Sequence, residues 1–190
     1  LNDAPVTARQ RHEWQHRLVA QLSQNMNFVV DLSVREFLTL HARCRMVESI
    51  EIRVEQVIAC ANSLTGETFT GHTPLTRLSG GQSRALMIAD AALLGAAPVV
   101  LIDEIENAGV DRQKALSLLV SKEKIVFLST HDPLLALRGG RRLVIRNGGM
   151  AALHTTSAEE LACLHRLEEL EATLLAVRHA LREGQPIRMT

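Results

Sequence analysis

Three short groups of residues could do chemistry in this 190-residue chain. The first, Leu78-Ser79-Gly80-Gly81-Gln82, joins a hydroxyl to two glycines just ahead of a stretch rich in Ala, Leu and Met that reads as helix. Glycines let a main chain approach a ligand with no Cβ in the way, and a helix start turns free N–H groups toward the same spot. That combination suits an anion. A helix end contributes only about 1 kcal/mol, and up to ~2 when partly buried, which is too little to hold a polyphosphate. The site therefore reads as a second, completing contact on a phosphate gripped mainly by something else.

The second group is Asp103-Glu104, which directly follows the apolar run VVLI at residues 99–102. Alone, an Asp-Glu pair reads as solvated loop. At the carboxyl end of a buried strand, where open α/β sheets place ligands, one carboxylate can hold Mg²⁺ through water while the other takes a proton from an attacking water. The third group ends with His131, three residues beyond the IVFL run at 125–128, where an imidazole can donate to a phosphate.

The elements that must carry these groups follow from local pattern. Residues 17–23 read as a short strand-like segment. Ser33-Val34-Arg35-Glu36 has capping-box spacing and predicts a helix start. Val54, Val57, Ile58 and Ala61 predict a second helix over 52–63, and residues 65–76 predict a loop. A third helix is expected from Ser83 to about Leu94, stopped by Gly95. VVLI and IVFL predict strands buried on both faces, joined by a helix over Asp111–Val120 with Ala115, Leu116, Leu119 and Val120 inward. Strand, helix, strand implies a parallel pair with a crossover. LVIR, Asn147-Gly148-Gly149 and MAAL predict a hairpin, and a last helix runs to about Arg182. Its Leu167, Leu170, Leu174, Val177 and Leu181 are spaced three, four, three, four, which fits packing on its own domain or pairing with another helix.

Taken together, these groups resemble the carboxyl-terminal two-thirds to three-quarters of an ATP-binding cassette (ABC) ATPase domain, from about Gln24 to Met150. The string LSGGQ would arise by chance at about 10⁻⁶ per position, so the resemblance is specific. It implies an α/β fold: a P-loop NTPase-like (RecA-like) core with a mainly parallel sheet, plus an α-helical signature subdomain. By resemblance, Leu78, Ser79, Gly80, Gly81 and Gln82 are the signature that contacts nucleotide and Asp103 ends the Walker B strand as a metal-side carboxylate. Glu104 is then the general base, His131 the switch histidine, Gln24 the Q-loop residue at Mg²⁺, and Asp111 the D-loop aspartate. ATP and Mg²⁺ are the implied cofactors. The implied partners are a second ABC domain and a transmembrane subunit, with the chain cytoplasmic at the inner face of the membrane.

Residues 1–24 and 83–156 are expected to form the ATPase core, 25–82 the helical subdomain, and 157–190 a carboxyl-terminal helix and tail. The chain departs from the family pattern in three ways. Ile105 stands where the family has Pro, and the segment from Ile105 to Asp111 is one residue longer than usual. No G-x-x-x-x-G-K-[ST] loop occurs, and no glycine precedes Gln24, so the amino-terminal part of the domain is expected to be missing. Gly66 to Thr73 fits that loop pattern except for His72 in place of Lys, but it leads from a helix through Pro74 to the signature and reads as a connector.

Composition narrows the function. Twenty-one basic and twenty-one acidic residues and 3% aromatics offer neither a long-range field nor stacking platforms for nucleic acid, so none is expected as partner. Cys44, Cys60 and Cys163 lack metal or disulfide spacing and read as buried or idle thiols. The short stretch between Gln24 and the signature favours a transporter-type domain. The alternatives are a non-catalytic subunit that lends its signature, and a soluble ABC ATPase outside transport.

Overall fold

The computed structural model describes residues 18–23, 28–105 and 109–186. The first helix, α1 (Val34–Cys44), starts at the capping box expected from sequence. Ser33 Oγ accepts from the Glu36 amide at 3.3 Å, and the Glu36 carboxylate accepts from the Ser33 amide at 2.8 Å and from its hydroxyl at 2.7 Å. These bonds, the hydroxyl's first, hold the Glu36 carboxyl below its usual range. In α2 (Ile50–Leu64) the periodic residues Val54, Val57, Ile58 and Ala61 are buried as expected.

The segment from Thr65 to Thr76 is a connector, broken by a single 3₁₀ turn at Leu75–Arg77. Asn62 pins it from both sides: its side chain accepts from the Phe69 amide and donates to the Phe69 carbonyl, each at 2.9 Å. The carbonyls of Gly71 and Thr73 accept from the amides of Arg35 and Val34. This backbone is spent on closing α1, which accounts for Gly66–Thr73 having the spacing of a phosphate loop without its strand–helix setting.

Next comes α3 (Gly80–Leu93), buried on most sides because it packs on α2 and on further elements of the same unit. It begins earlier than the expected Ser83, because Ser79 caps it. After Leu94 a side chain at Gly95 would collide with the Ala91 carbonyl, so only glycine fits where the helix stops. Asp90, 2% exposed, joins α3 to α1: His41 Nδ1 lies 3.1 Å from one carboxylate oxygen, and Arg45 donates to the other at 3.1 Å. Asp90→Ala leaves His41 and Arg45 without this partner. Because His41 and Arg45 are about one-third exposed, water compensates in part, and a loss of about 1–3 kcal/mol is expected, measurable by urea unfolding.

The strands are β1 (Val19–Leu22), β2 (Val99–Asp103) and β3 (Ile125–Ser129), parallel and in that order, with α4 (Arg112–Ser121) crossing between β2 and β3. Leu22 pairs with Ile102, and Asp103 with Ser129. Burial differs from expectation. Val100 and Ile102 are buried, whereas Leu101 is 36%, Phe127 49% and Ile125 58% exposed. Both β2 and β3 therefore bury at most one face, since α3 packs on β1 and α4 on β3 and nothing among the described residues covers the other. On α4, Ala115 and Leu119 are buried as expected, but Val120 falls one step round the helix and is exposed. The cysteines are free; Cys44 and Cys163 are exposed rather than buried. Burial pushes the half-buried Cys60 thiol up.

Residues up to Thr130 form one compact unit, and His131 onward a second. The second opens with α5 (Pro133–Arg138), capped by Asp132, whose carboxylate accepts from the amides of Leu134 and Leu135. β4 (Arg141–Arg146) and β5 (Gly149–Thr155) pair antiparallel about Asn147 and Gly148, both at positive φ, as the Asn-Gly turn predicts. The last helix, α6 (Ala158–Arg182), packs on α5. Among the described residues no helix is long and apolar enough to cross a membrane.

Candidate nucleotide site

The carboxyl ends of β1, β2 and β3 lie along one edge of the sheet and bring Ser23, Asp103-Glu104 and Ser129 to it. Asp103 is exposed and Glu104 half-buried. Glu104 is held from several directions. Its amide donates to the Ser129 carbonyl at 3.0 Å, and its carbonyl accepts from Arg84 Nη1 at 2.9 Å. Immediately after it, Ile105 is fully buried. With these anchors Glu104 adopts φ +46°, a left-handed conformation that costs a β-carbon-bearing residue about 1–2 kcal/mol and persists where the surroundings over-determine it.

Arg84 is a functional candidate that sequence reasoning missed. It is 4% exposed on the second turn of α3. Besides Glu104 it reaches the Ser23 carbonyl, 3.5 Å from Nη2. One guanidinium thus links the signature helix to the ends of β1 and β2. Its position two residues after LSGGQ is the only hint in sequence, since nothing there reveals that the arginine is buried or that its partners are main-chain carbonyls.

The signature itself is the first turn of α3. Ser79 Oγ accepts from the Gln82 amide at 3.3 Å, and Gln82 Oε1 accepts from the Ser79 amide at 2.9 Å. Gln82 Nε2 also donates to the Glu67 carbonyl at 3.3 Å. The amides of Gly80 and Gly81 take no part in this cap. Leu78 is half-buried, and Ser79 and Gly80 are exposed, so an anion can approach the turn from solvent. Beside it lies Gly109, at φ +62°, where a Cβ would be 3.8 Å from Gly81 Cα. Its left-handed φ favours glycine there.

Asp111, expected to meet nucleotide, caps α4 and accepts from the Lys114 amide at 3.1 Å, while its own amide donates to the Leu64 carbonyl at 2.8 Å. Partial burial pushes its carboxyl up, but hydrogen bonds from Lys114 and Gln113 and the Lys114 charge outweigh this and hold the pKa below its usual value. Gln24 directly follows Ser23 and lies outside the described residues. His131 follows β3 by two residues but belongs to the second unit.

Among the described residues no three His, Cys, Asp or Glu side chains cluster as metal ligands. An exposed Asp103 supplying one hard oxygen fits Mg²⁺, which keeps waters and substrate phosphates in its shell and does not need a closed protein cage.

No protein-family model matches the chain. It is 49% identical over 175 residues to an ABC transporter ATP-binding protein of Methanocaldococcus jannaschii, a match covering 92% of this chain and 67% of that protein. Over 94 residues it is 38% identical to the macrolide export ATP-binding/permease protein MacB of Bradyrhizobium diazoefficiens, covering 46% of this chain but 14% of MacB. Against the zinc import protein ZnuC of Paracoccus denitrificans, identity is 27% over 158 residues, or 78% of this chain and 58% of ZnuC. Two solved structures share the fold at 20% identity. An ATP-binding subunit of an ABC transporter aligns with TM-score 0.62, covering 88% of this chain and 71% of that one. A dimeric ATP-binding cassette in a post-hydrolysis state with ADP and Pi aligns at 0.57, covering 74% and 63%. With the signature capping a helix, the Asp-Glu pair at the strand ends and this breadth of identity, the chain belongs to the ABC transporter ATP-binding proteins, with their P-loop NTPase fold.

Proposed function

We propose that this chain completes an ATP site across a dimer of ABC domains, and that hydrolysis there drives a transporter. The observation that carries the reading is Glu104: a carboxylate at the sheet's carboxyl edge whose main chain is clamped by Ser129 and Arg84 in a strained conformation. In this role Glu104 accepts a proton from the attacking water. Asp103 and Gln24 are the residues that would hold Mg²⁺, which when bound supplies charge neutralisation on the phosphates. Ser79 and the amides of Gly80 and Gly81 meet a phosphate gripped by the facing domain, whereas His131 would donate to a phosphate held at the Asp103-Glu104 edge of this chain. Asp111 is the D-loop aspartate of this reading, placed among the residues that meet nucleotide. The core, residues 1–24 and 83–156, and the helical part, 25–82, would then act as two bodies sharing α3, with 157–190 appended. A transmembrane partner and a cytoplasmic place at the inner face of the membrane belong to the same proposal.

In this reading these 190 residues do not themselves supply the phosphate loop. Calorimetry is therefore expected to show no tight ATP binding by the chain alone. Micromolar affinity would mean that a phosphate loop exists among these residues and would overturn the reading. A second reading has the same motivation: the chain lends its signature to another subunit's ATP and hydrolyses nothing itself. Mixing with a loop-bearing subunit separates the two, because Glu104→Gln abolishes part of the turnover only in the first.

A further inference from the structure

Both ends of the Gln82 side chain are engaged within the chain. Oε1 accepts from the Ser79 amide at 2.9 Å, and Nε2 donates to the Glu67 carbonyl at 3.3 Å. Turning the amide over would set Nε2 against the Ser79 N–H and Oε1 against the Glu67 carbonyl, donor to donor and acceptor to acceptor, so the two partners fix its orientation. Capping needs only the first bond. At the start of α1 the carboxylate of Glu36, with no proton to donate, closes the same capping box on Ser33. The bond from Gln82 to Glu67 is therefore additional to the cap, and it needs an amide. Glu67 is held in turn: its amide donates to Thr65 Oγ1 at 3.4 Å, and Thr65 pairs with Val110 in an antiparallel bridge. Beside that bridge the Asp111 amide donates to the Leu64 carbonyl at 2.8 Å, and both Leu64 and Val110 are buried. Thr65 to Glu67 thus forms a strap from the signature turn to the segment that starts α4.

We propose that Gln82 is a positioning residue for the nucleotide site: it ties the first turn of α3 to this strap, and its side chain does not itself touch nucleotide. The role rests on the ATPase reading above. Ser79 Oγ accepts from the Gln82 amide, which leaves the hydroxyl proton to be donated to a phosphate. Ser79 and Gly80 are exposed, so little else around the turn restrains them. With the tether in place, the hydroxyl and the glycine amides meet the phosphate from a fixed position, and no ordering of the turn is needed when it arrives.

Two substitutions test it. Gln82→Glu keeps the acceptor for Ser79 and removes the donor to Glu67. Thr65→Val removes the Oγ1 that holds the Glu67 amide, leaves the signature unchanged and adds no charge; the backbone at Thr65 is extended, which suits valine. In the chain without nucleotide, exchange of the Glu67 amide measured by NMR is expected to quicken about two- to tenfold in Gln82→Glu, the loss of one hydrogen bond. In the full assembly kcat should fall about tenfold for Gln82→Glu and about threefold for Thr65→Val, with both unfolding midpoints in urea at the parental value. A fall in kcat for Gln82→Glu alone would mean that its side chain acts by touching nucleotide, and overturns the proposal. Unchanged exchange at Glu67, or parental kcat in both variants, overturns it as well. A parent assembly that turns over no ATP would defeat the ATPase reading, and this role with it, even where exchange at Glu67 quickens, so the two failures are told apart.

Discussion

Glu104→Gln in the full assembly is expected to lower ATP turnover by about 10²- to 10⁴-fold, the usual contribution of a positioned general base. Gln keeps the size and polarity of the side chain and leaves the main-chain bonds to Ser129 and Arg84 untouched, so folding and nucleotide binding should survive. ATP-bound dimers should then accumulate, visible by gel filtration with unhydrolysed nucleotide retained. Turnover within a factor of about three of the parent, well short of the range for a general base, would remove Glu104 from the role assigned to it.

Arg84→Met is expected to act through Glu104. Methionine roughly preserves length and apolar volume but donates nothing to the Glu104 and Ser23 carbonyls. Leaving buried acceptors without this donor costs about 1–3 kcal/mol, and the left-handed turn at Glu104 loses one of the contacts that hold it. A misplacement of about 1 Å at a reacting group costs on the order of 10²-fold in rate, so kcat should fall by that order. KM for ATP should change little, because the role assigned to Arg84 is a positioning one, exerted through the Glu104 and Ser23 carbonyls. Arg84→Lys keeps a charged donor but not the planar fork that spans the two carbonyls, and should recover stability before it recovers rate. A stable Arg84→Met protein with parental kcat would leave Arg84 a purely structural residue.

What could be read from sequence was what is local. Ser33 with Glu36 and Asn147 with Gly148 act over three residues or fewer, and both appear in the structure as expected. The carboxyl-edge position of Asp103 was legible because strand direction and the crossover follow from the βαβ order. Burial was not, because whether Leu101 and Phe127 are covered depends on what lies across the sheet. α3 starts three residues ahead of the expected Ser83, at Gly80, because Ser79 with Gln82 carries the same capping spacing as Ser33 with Glu36. Asp132-Pro133, a cap followed by an N1 proline, opens α5, a helix not among the elements expected from sequence. Arg84 was invisible, since its partners are main-chain atoms 20 and 61 residues away.

The half-covered sheet has a consequence for how the chain survives in solution. Among the described residues β1 and β3 are its borders, each with one row of main-chain donors and acceptors unmatched by a neighbouring strand. Beside those borders stand the bare side chains of Val19, Ile125 and Phe127. Open borders next to exposed greasy surface are templates for edge-to-edge polymerisation. From synthesis onward such a surface needs another stretch of polypeptide laid over it, or the chain is drawn into aggregates.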